Sequence, residues 1–292
     1  MHFGRDSSTE LGDIDFTLPP DHPVTSDTLQ RKGDPSNFDL RIGSSLWGRK
    51  EWIGTLFPEK TSEKNFLTEY ARKVNYIELN ATFYGMPPRS RIDGWYEKAA
   101  GRDFIFAPKI PRSITHILRF KNTGERIREF LDVVSGLKEK LGPVFFQCND
   151  NFRPDQYPLL IEALDNATSS YKTGTFTVFV ELRHEEWFAD PEFFDRVATD
   201  LAARNIGLVL NDTPVRRDVL HMALTVPKLF VRFNGNGDHP ADENRIRNWA
   251  KRIARWKAQG LTNVYFTIHQ EDIETFPVSL ERVRAIFAEH SV

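Results

Sequence analysis

The chain has a single cysteine, Cys148, in 292 residues. One thiol excludes an intramolecular disulfide and any metal centre built on several cysteines. Long apolar runs are missing as well: no stretch approaches the roughly 18 residues that signal a membrane span. The beginning of the chain is polar and acidic and lacks the apolar segment of a secretion signal, so a cytoplasmic location is expected. Net charge is also scarce. A formal charge of −2 gives no global drive toward nucleic acid or an anionic membrane. Any anion must therefore be recognised by a local cluster. No Gly-rich phosphate loop, dinucleotide fingerprint, nucleophile elbow or H-E-x-x-H pair is present.

What the chain does have is repetition. Short apolar runs recur at Leu40–Ser44, Tyr76–Asn80, Phe104–Lys109, Val144–Gln147, Thr177–Arg183, Gly207–Asp212, Leu229–Asn234 and Val264–His269. Stretches of helical character lie between most of them. Such alternation is the mark of βα units on a parallel sheet. Eight repeats predict an α/β, TIM-barrel-like (β/α)8 fold in one domain over residues 38–292, with the site at the strand C-termini. Helices are expected from Thr61 or Ser62 to about Lys73, from Thr123 through Leu137, from Pro191 through Leu201, along Trp249, Ile253 and Trp256, and from about Val278 through Phe287. The sixth crossover, Pro214–Val226, is short and irregular. Residues 1–37, rich in Asp, Ser, Thr and Pro, read as an irregular arm, either disordered or packed through Phe3, Ile14, Phe16 and Leu18.

Residues two apart on a strand share a face. One barrel mouth is thus expected to receive Glu78, Asn80, Lys109, Gln147, Glu181, Arg183, Arg232, Asn234, His269 and either Asn211 or Asp212, of which Asp212 is taken as the ligand contact. Buried charges are costly unless paired, so such a ring is an internal ion network, a ligand site, or both. Two long loops add candidates. Ser45–Thr61 carries Trp47; Ile110–Asn122 carries Arg112, His116 and Arg119.

At these strand ends the sequence resembles a known family. The segments are Ile42-Gly43-Ser44-Ser45-Leu46-Trp47, Glu78-Leu79-Asn80-Ala81-Thr82-Phe83-Tyr84, Phe106-Ala107-Pro108-Lys109-Ile110-Pro111-Arg112 with Ile114-Thr115-His116, Leu141–Gln147 and Val180–Trp187. They are similar, in order, to the motifs of the YecE-like family, domain of unknown function 72, over about Leu40 to Gln270. The resemblance implies a TIM-barrel-like fold and no particular reaction. The chain departs from the family pattern at Gln147-Cys148-Asn149-Asp150, at Arg232-Phe233-Asn234-Gly235 and at Ile268-His269-Gln270, on the fourth, seventh and eighth strands.

Each constellation has a chemical and a structural reading. Glu78 and Glu181 suit an acid–base pair, or one acid and one nucleophile; as structural groups they are ion-pair partners of Lys109 and Arg183. Lys109, Arg183 and Arg232 suit an anion clamp. His116 suits proton transfer from its loop. Ser44, Trp47, Asn80, Tyr84, Arg112, Gln147, Trp187, Asp212, Arg232, Asn234 and His269 are the expected substrate contacts, with the aromatic rings alternatively packing loops onto the rim. Asn234-Gly235-Asn236-Gly237 offers backbone N–H groups for an anion. A metal among Glu78, Glu181, Asp212 and His269 is disfavoured, because the interleaved Lys and Arg already supply positive charge. No cofactor is expected.

The leading expectation is a metal-independent enzyme, a hydrolase, lyase or isomerase, acting on a small anionic or sugar-like metabolite, with no nucleic-acid or membrane partner. The alternatives are a non-catalytic metabolite-binding module and a nucleic-acid-processing phosphoesterase whose basic third loop holds the backbone.

Overall fold

A computed structural model of the protein describes residues 11–32, 38–169, 176–237, 239–270 and 272–292. Its strands are β1 (Asp39–Ser44), β2 (Tyr76–Leu79), β3 (Ile105–Pro108), β4 (Val144–Gln147), β5 (Val178–Glu181), β6 (Gly207–Asp212), β7 (Lys228–Asn234) and β8 (Asn263–His269). The helices among the described residues are α1 (Pro23–Lys32), α2 (Phe66–Lys73), α3 (Arg89–Lys98), α4 (Gly124–Val134), α5 (Tyr157–Ser169), the short α6 (Glu186–Ala189), α7 (Pro191–Ala203), α8 (Pro240–Ala258) and α9 (Phe276–Glu289). Each of the eight apolar runs coincides with a strand to within one or two residues at either end. The strands belong to one eight-stranded sheet, and the pairings are parallel. This is the expected α/β, TIM-barrel-like fold.

The chain divides into two compact units: a central one, Gly43–Asp190, and a flanking one, Met1–Ile42 with Pro191–Val292. In the central unit β1, β2 and β3 are successive neighbours, with Gly43 opposite Tyr76 and Glu78 opposite Ala107. Gly43 is required there, since a Cβ would lie 2.0 Å from the Tyr76 carbonyl oxygen. β3 is bridged to β4 at Phe106–Leu141 and Lys109–Phe145, and β4 pairs with β5 so that Gln147 lies opposite Glu181. The apolar stripes of α2 (Phe66, Leu67, Tyr70, Ala71) and α4 (Ile127, Phe130, Leu131, Val134) are buried. Each large side chain so buried contributes about 1.5–3 kcal/mol. Thr61 does not cap α2: its hydroxyl donates to Pro58 O at 2.6 Å, and a 3₁₀ turn over Glu63–Asn65 precedes the helix. The helix expected through Leu137 stops at Val134 and continues as a 3₁₀ segment, Ser135–Lys140.

In the flanking unit β6 pairs with β7 and β7 with β8. The predicted stripe Trp249, Ile253 and Trp256 of α8 is fully buried. Phe233 stacks on Phe266 with ring centroids 5.6 Å apart, and Trp249 meets the Phe266 edge at 6.4 Å. These contacts fix which face of β7 and β8 looks at the helices. Crossover Pro214–Val226 holds only a 3₁₀ turn, Arg217–Val219, as its lack of periodicity predicts.

The arm departs from its expected irregular form. Pro23 opens α1, a position where proline's fixed φ and missing N–H cost nothing. Leu18, Thr25 and Leu29 are buried, and Thr25 Oγ1 donates to Met222 O at 2.8 Å. Asp21 accepts from Arg252 at 2.6 Å, from Arg255 at 2.5 Å and from the Trp256 indole at 3.0 Å. These side chains tie the arm to α8 within the flanking unit. Phe3 lies outside the described residues.

Candidate active site at the strand ends

The central unit gathers most of the predicted residues. Glu78 is fully buried on β2, and Asn80, two residues on, donates from Nδ2 to Glu78 Oε1 at 2.9 Å. The Asn80 Oδ1 is buried and has no hydrogen-bond partner among the described residues. Thr82, at the end of a 3₁₀ turn over Asn80–Thr82, places its hydroxyl 2.8 Å from Leu79 O and 2.7 Å from Lys109 O, clasping the ends of β2 and β3. Phe83 then lays its ring 4.0 Å beneath the Lys109 ammonium, a cation–π contact. The spacing of this motif thus has a physical sense: Asn80 orients a carboxylate, Thr82 locks two strands, and Phe83 seats a cation.

Lys109 is 1% exposed and donates from Nζ to Gln147 Oε1 at 2.6 Å. Gln147 is paired in register with Glu181. Glu181 is fully buried, and its Oε1 accepts from Arg183 Nε at 2.5 Å; Arg183 Nη1 reaches the exposed Asp150 at 3.0 Å. Lys109, Gln147, Glu181 and Arg183 therefore form a run of buried polar groups at the ends of three neighbouring strands. The expected ion-pair reading of Glu181 with Arg183 holds. Asp150, in the departure from the family pattern, supplies the second carboxylate to Arg183, and no strand pattern in the sequence marks it.

His116 sits on a single π-helical turn, Ser113–Ile117, a local form frequent at functional sites. Its ring meets Phe83 edge-on at 5.0 Å, and Nδ1 lies 2.8 Å from Thr115 Oγ1. Burial, reinforced by the Lys109 and Arg183 charges, lowers its pKa to about 4 against the opposing pull of Asp150 and Glu181. The imidazole is thus neutral near pH 7. The loop is anchored, with Ile110 N donating to Phe145 O at 3.0 Å and Phe120 N to Ile114 O at 3.0 Å. Arg119, Phe120 and Asn122 have positive φ, uncommon for such residues. Arg119 is spent on Asn151 and Gln156, which weakens a backbone-binding role for this loop.

Other predicted contacts of the central unit fall outside this cluster. Trp187 is fully buried, stacks on Phe152 and donates its indole N–H to Phe152 O at 2.7 Å; it packs the loop rather than presenting a face to a ligand. Ser44 donates from Oγ to Leu46 O at 2.6 Å, and its N–H donates to Tyr70 Oη at 2.9 Å. Trp47 packs edge-on against Trp95 of α3 at 5.7 Å. Tyr84 is 76% exposed, and Arg112 is exposed. Cys148 is buried, and burial raises its thiol well above the ordinary range.

The flanking unit corrects one assignment. Asp212 lies on the opposite face of β6 from Asn211. It is fully buried against the helices, accepting from Arg217 at 2.5 Å, Arg245 at 2.9 Å and the Trp249 indole at 2.8 Å. Burial works to raise its pKa, but the two guanidinium charges outweigh that and hold it below the usual carboxylate range. The inward residue of β6 is Asn211, in register with Arg232. Arg232, Asn234 and His269 do share one face, since Phe233 and its stacked partner Phe266 lie on the other. The backbone of Asn236 and Gly237 is not open to an anion: their N–H groups donate to Asp242 at 2.5 Å and to Gln270 at 3.0 Å. Among the described residues no three His, Cys, Asp or Glu side chains come together as a metal-ligand set. No helix among them is long and apolar enough to cross a membrane.

Comparison with known proteins places the geometry. The model of the family described as protein of unknown function DUF72 matches residues 41–290. The chain belongs to the DUF72 family. It is 27% identical over 256 residues to the UPF0759 protein YecE of Escherichia coli K12, covering 82% of this chain and 89% of that protein. A crystal structure of a DUF72 family protein from Enterococcus faecalis V583 superposes with a TM-score of 0.66 at 18% identity, covering 85% of this chain and 95% of that one. A second crystal structure from the same organism gives 0.66 at 17%. The DUF72 match spans β1 through α9, which includes every element of the cluster described above.

Proposed function

We propose that this DUF72 chain is an enzyme that acts on a small anionic or polyhydroxylated molecule by metal-independent acid–base chemistry at the strand ends of the central unit. The observation that supports this reading is the run of buried charged and polar groups Lys109, Gln147, Glu181 and Arg183, with Glu78 on the strand before it and Asn80 just past that strand's end. A core seldom keeps so many such groups unless they serve a ligand or balance one another. In the proposed roles, Lys109 and Arg183 hold the anionic or oxygen-rich part of the substrate. Glu181 and Glu78 exchange protons with it. Neutral His116 offers a ring nitrogen from the loop above. Positive charge is already present in Lys109 and Arg183, so a divalent cation has no charge to balance there.

The tight Glu181–Arg183 pair favours a second reading, a non-catalytic metabolite-binding module in which the same groups only hold the ligand. Activity screening of the purified chain against sugar phosphates, sugar acids and their lactones, run beside Glu181→Gln, separates the two. Turnover lost in the variant supports the enzyme. Binding without turnover in either chain supports the module.

A further inference from the structure

One polar residue of the flanking unit has no role in the cluster described above. Asn211 is 1% exposed, and neither its Oδ1 nor its Nδ2 has a hydrogen-bond partner among the described residues. Buried amides are almost always bonded, and one left unpaired in a native fold calls for an explanation. Its direction is fixed by its neighbours. Asp212 points at α8, where Arg245 and Trp249 hold it, so Asn211 projects from the opposite face of β6. Register sets Asn211 beside Arg232, and Arg232 beside Thr267. Asn234 and His269 continue the same row toward the strand C-termini, themselves in register.

We propose that Asn211 is a ligand-reading residue whose amide pairs with neighbouring hydroxyl groups of a polyhydroxylated molecule. A primary amide sets a donor nitrogen beside an acceptor oxygen. Both are satisfied together by a group with a donor and an acceptor on adjacent atoms, such as vicinal hydroxyls or a hydroxyl next to a carboxylate. A fully ionised alkyl phosphate or alkyl carboxylate presents acceptors alone and leaves Oδ1 unpaired. The inference is made of the flanking unit by itself: it names adjacent hydroxyls as what the row of Asn211, Arg232 and Asn234 would read, and it rests on the reading that the chain takes a small anionic or polyhydroxylated molecule.

Titration calorimetry with matched probes tests it: D-gluconate against hexanoate, and D-glucose 6-phosphate against hexyl phosphate. The unaltered chain is expected to bind at least one polyol about tenfold or more tightly than its bare counterpart, because a site built to bond hydroxyls rejects analogues lacking them. Asn211→Leu keeps the side-chain volume and removes both polar atoms. It is expected to bring that preference to within about threefold, with a thermal midpoint unchanged or raised, since an unpaired buried amide is no loss to the fold. Equal binding of polyols and bare anions by the unaltered chain, or an intact preference in Asn211→Leu, overturns the Asn211 assignment and leaves the small-molecule site standing. Binding of none of the probes overturns both. If Asn211→Leu does not fold, Asn211→Ala gives the same comparison, and loss of the fold in both variants overturns the assignment by showing the amide to be structural.

Discussion

Arg183 grips Glu181 through its Nε at 2.5 Å while its Nη1 extends to Asp150 at 3.0 Å. One guanidinium thus serves a fully buried carboxylate and an exposed one. The buried partner keeps a fixed orientation, as a positioned acid–base group requires.

Replacing Glu181 by Gln keeps the shape and removes the proton acceptor. With a substrate in hand, turnover is expected to fall by roughly 100-fold or more, the scale of lost general acid–base catalysis. Arg183 retains Asp150, so the fold should survive. Near-normal turnover in a folded variant would reduce Glu181 to a partner of Arg183.

Asp212 is the centre of a different network, with Arg217, Arg245 and Trp249 around it. Asp212→Asn should therefore act on stability. Arg245, itself fully buried, keeps Asp242 at 2.9 Å as a counter-charge but loses its charge-assisted bond to Asp212, which is expected to cost about 1.5–3 kcal/mol in urea unfolding. A cost under about 1 kcal/mol would show that the network is not needed by the fold.

Two histidines set an acid limit. Burial lowers His221 to about 3 and His116 to about 4, each with help from nearby cationic or imidazole groups. Both folded values lie below 6.5, so the unfolded chain takes up protons that the folded chain refuses. Their contribution to stability is present above about pH 6.5 and is lost as pH falls toward 4 and then 3. His22, beside His221 and also lowered by burial, acts in the same direction. The thermal midpoint should fall on acidification through this window, and His221→Asn, which keeps an acceptor for Ala223 N, should flatten the slope. An unchanged slope in that variant would argue against a buried neutral imidazole.

The sequence made the strands legible because an apolar run that closes on a polar residue marks each of them, and the run is the part that is buried. It also made the clustering of Glu78, Lys109, Gln147, Glu181 and Arg183 at neighbouring strand ends legible, because each closes or follows an apolar run. It misassigned Asp212 for a specific reason. Leu208, Val209 and Leu210 are all buried, so apolarity does not distinguish the faces of β6, and a one-residue choice decides which of Asn211 and Asp212 turns inward. The deciding groups, Arg245 and Trp249, are distant in sequence and lie on α8. Trp187 stays open in the sequence because a ring near a strand end can pack a loop or meet a ligand, and its burial and its bond to Phe152 O favour packing. Helix α1 is not legible in the sequence because its residues are mostly polar; what holds it is Leu29, the contact of Thr25 and, just before it, that of Asp21, none of which gives a periodic signal.

The central claim is that the buried polar run at the strand ends of the central unit holds a small anionic or polyhydroxylated ligand. Thermal shift measured across a panel of sugar phosphates and sugar acids, on the unaltered chain and on Lys109→Met, tests it most directly. A ligand that favours the folded state raises its midpoint. The account predicts that at least one member raises the midpoint of the unaltered chain in a saturable way, and that Lys109→Met, folded and near its parent in midpoint without ligand, loses that rise. No shift with any member, or an equal shift in both chains, would contradict it.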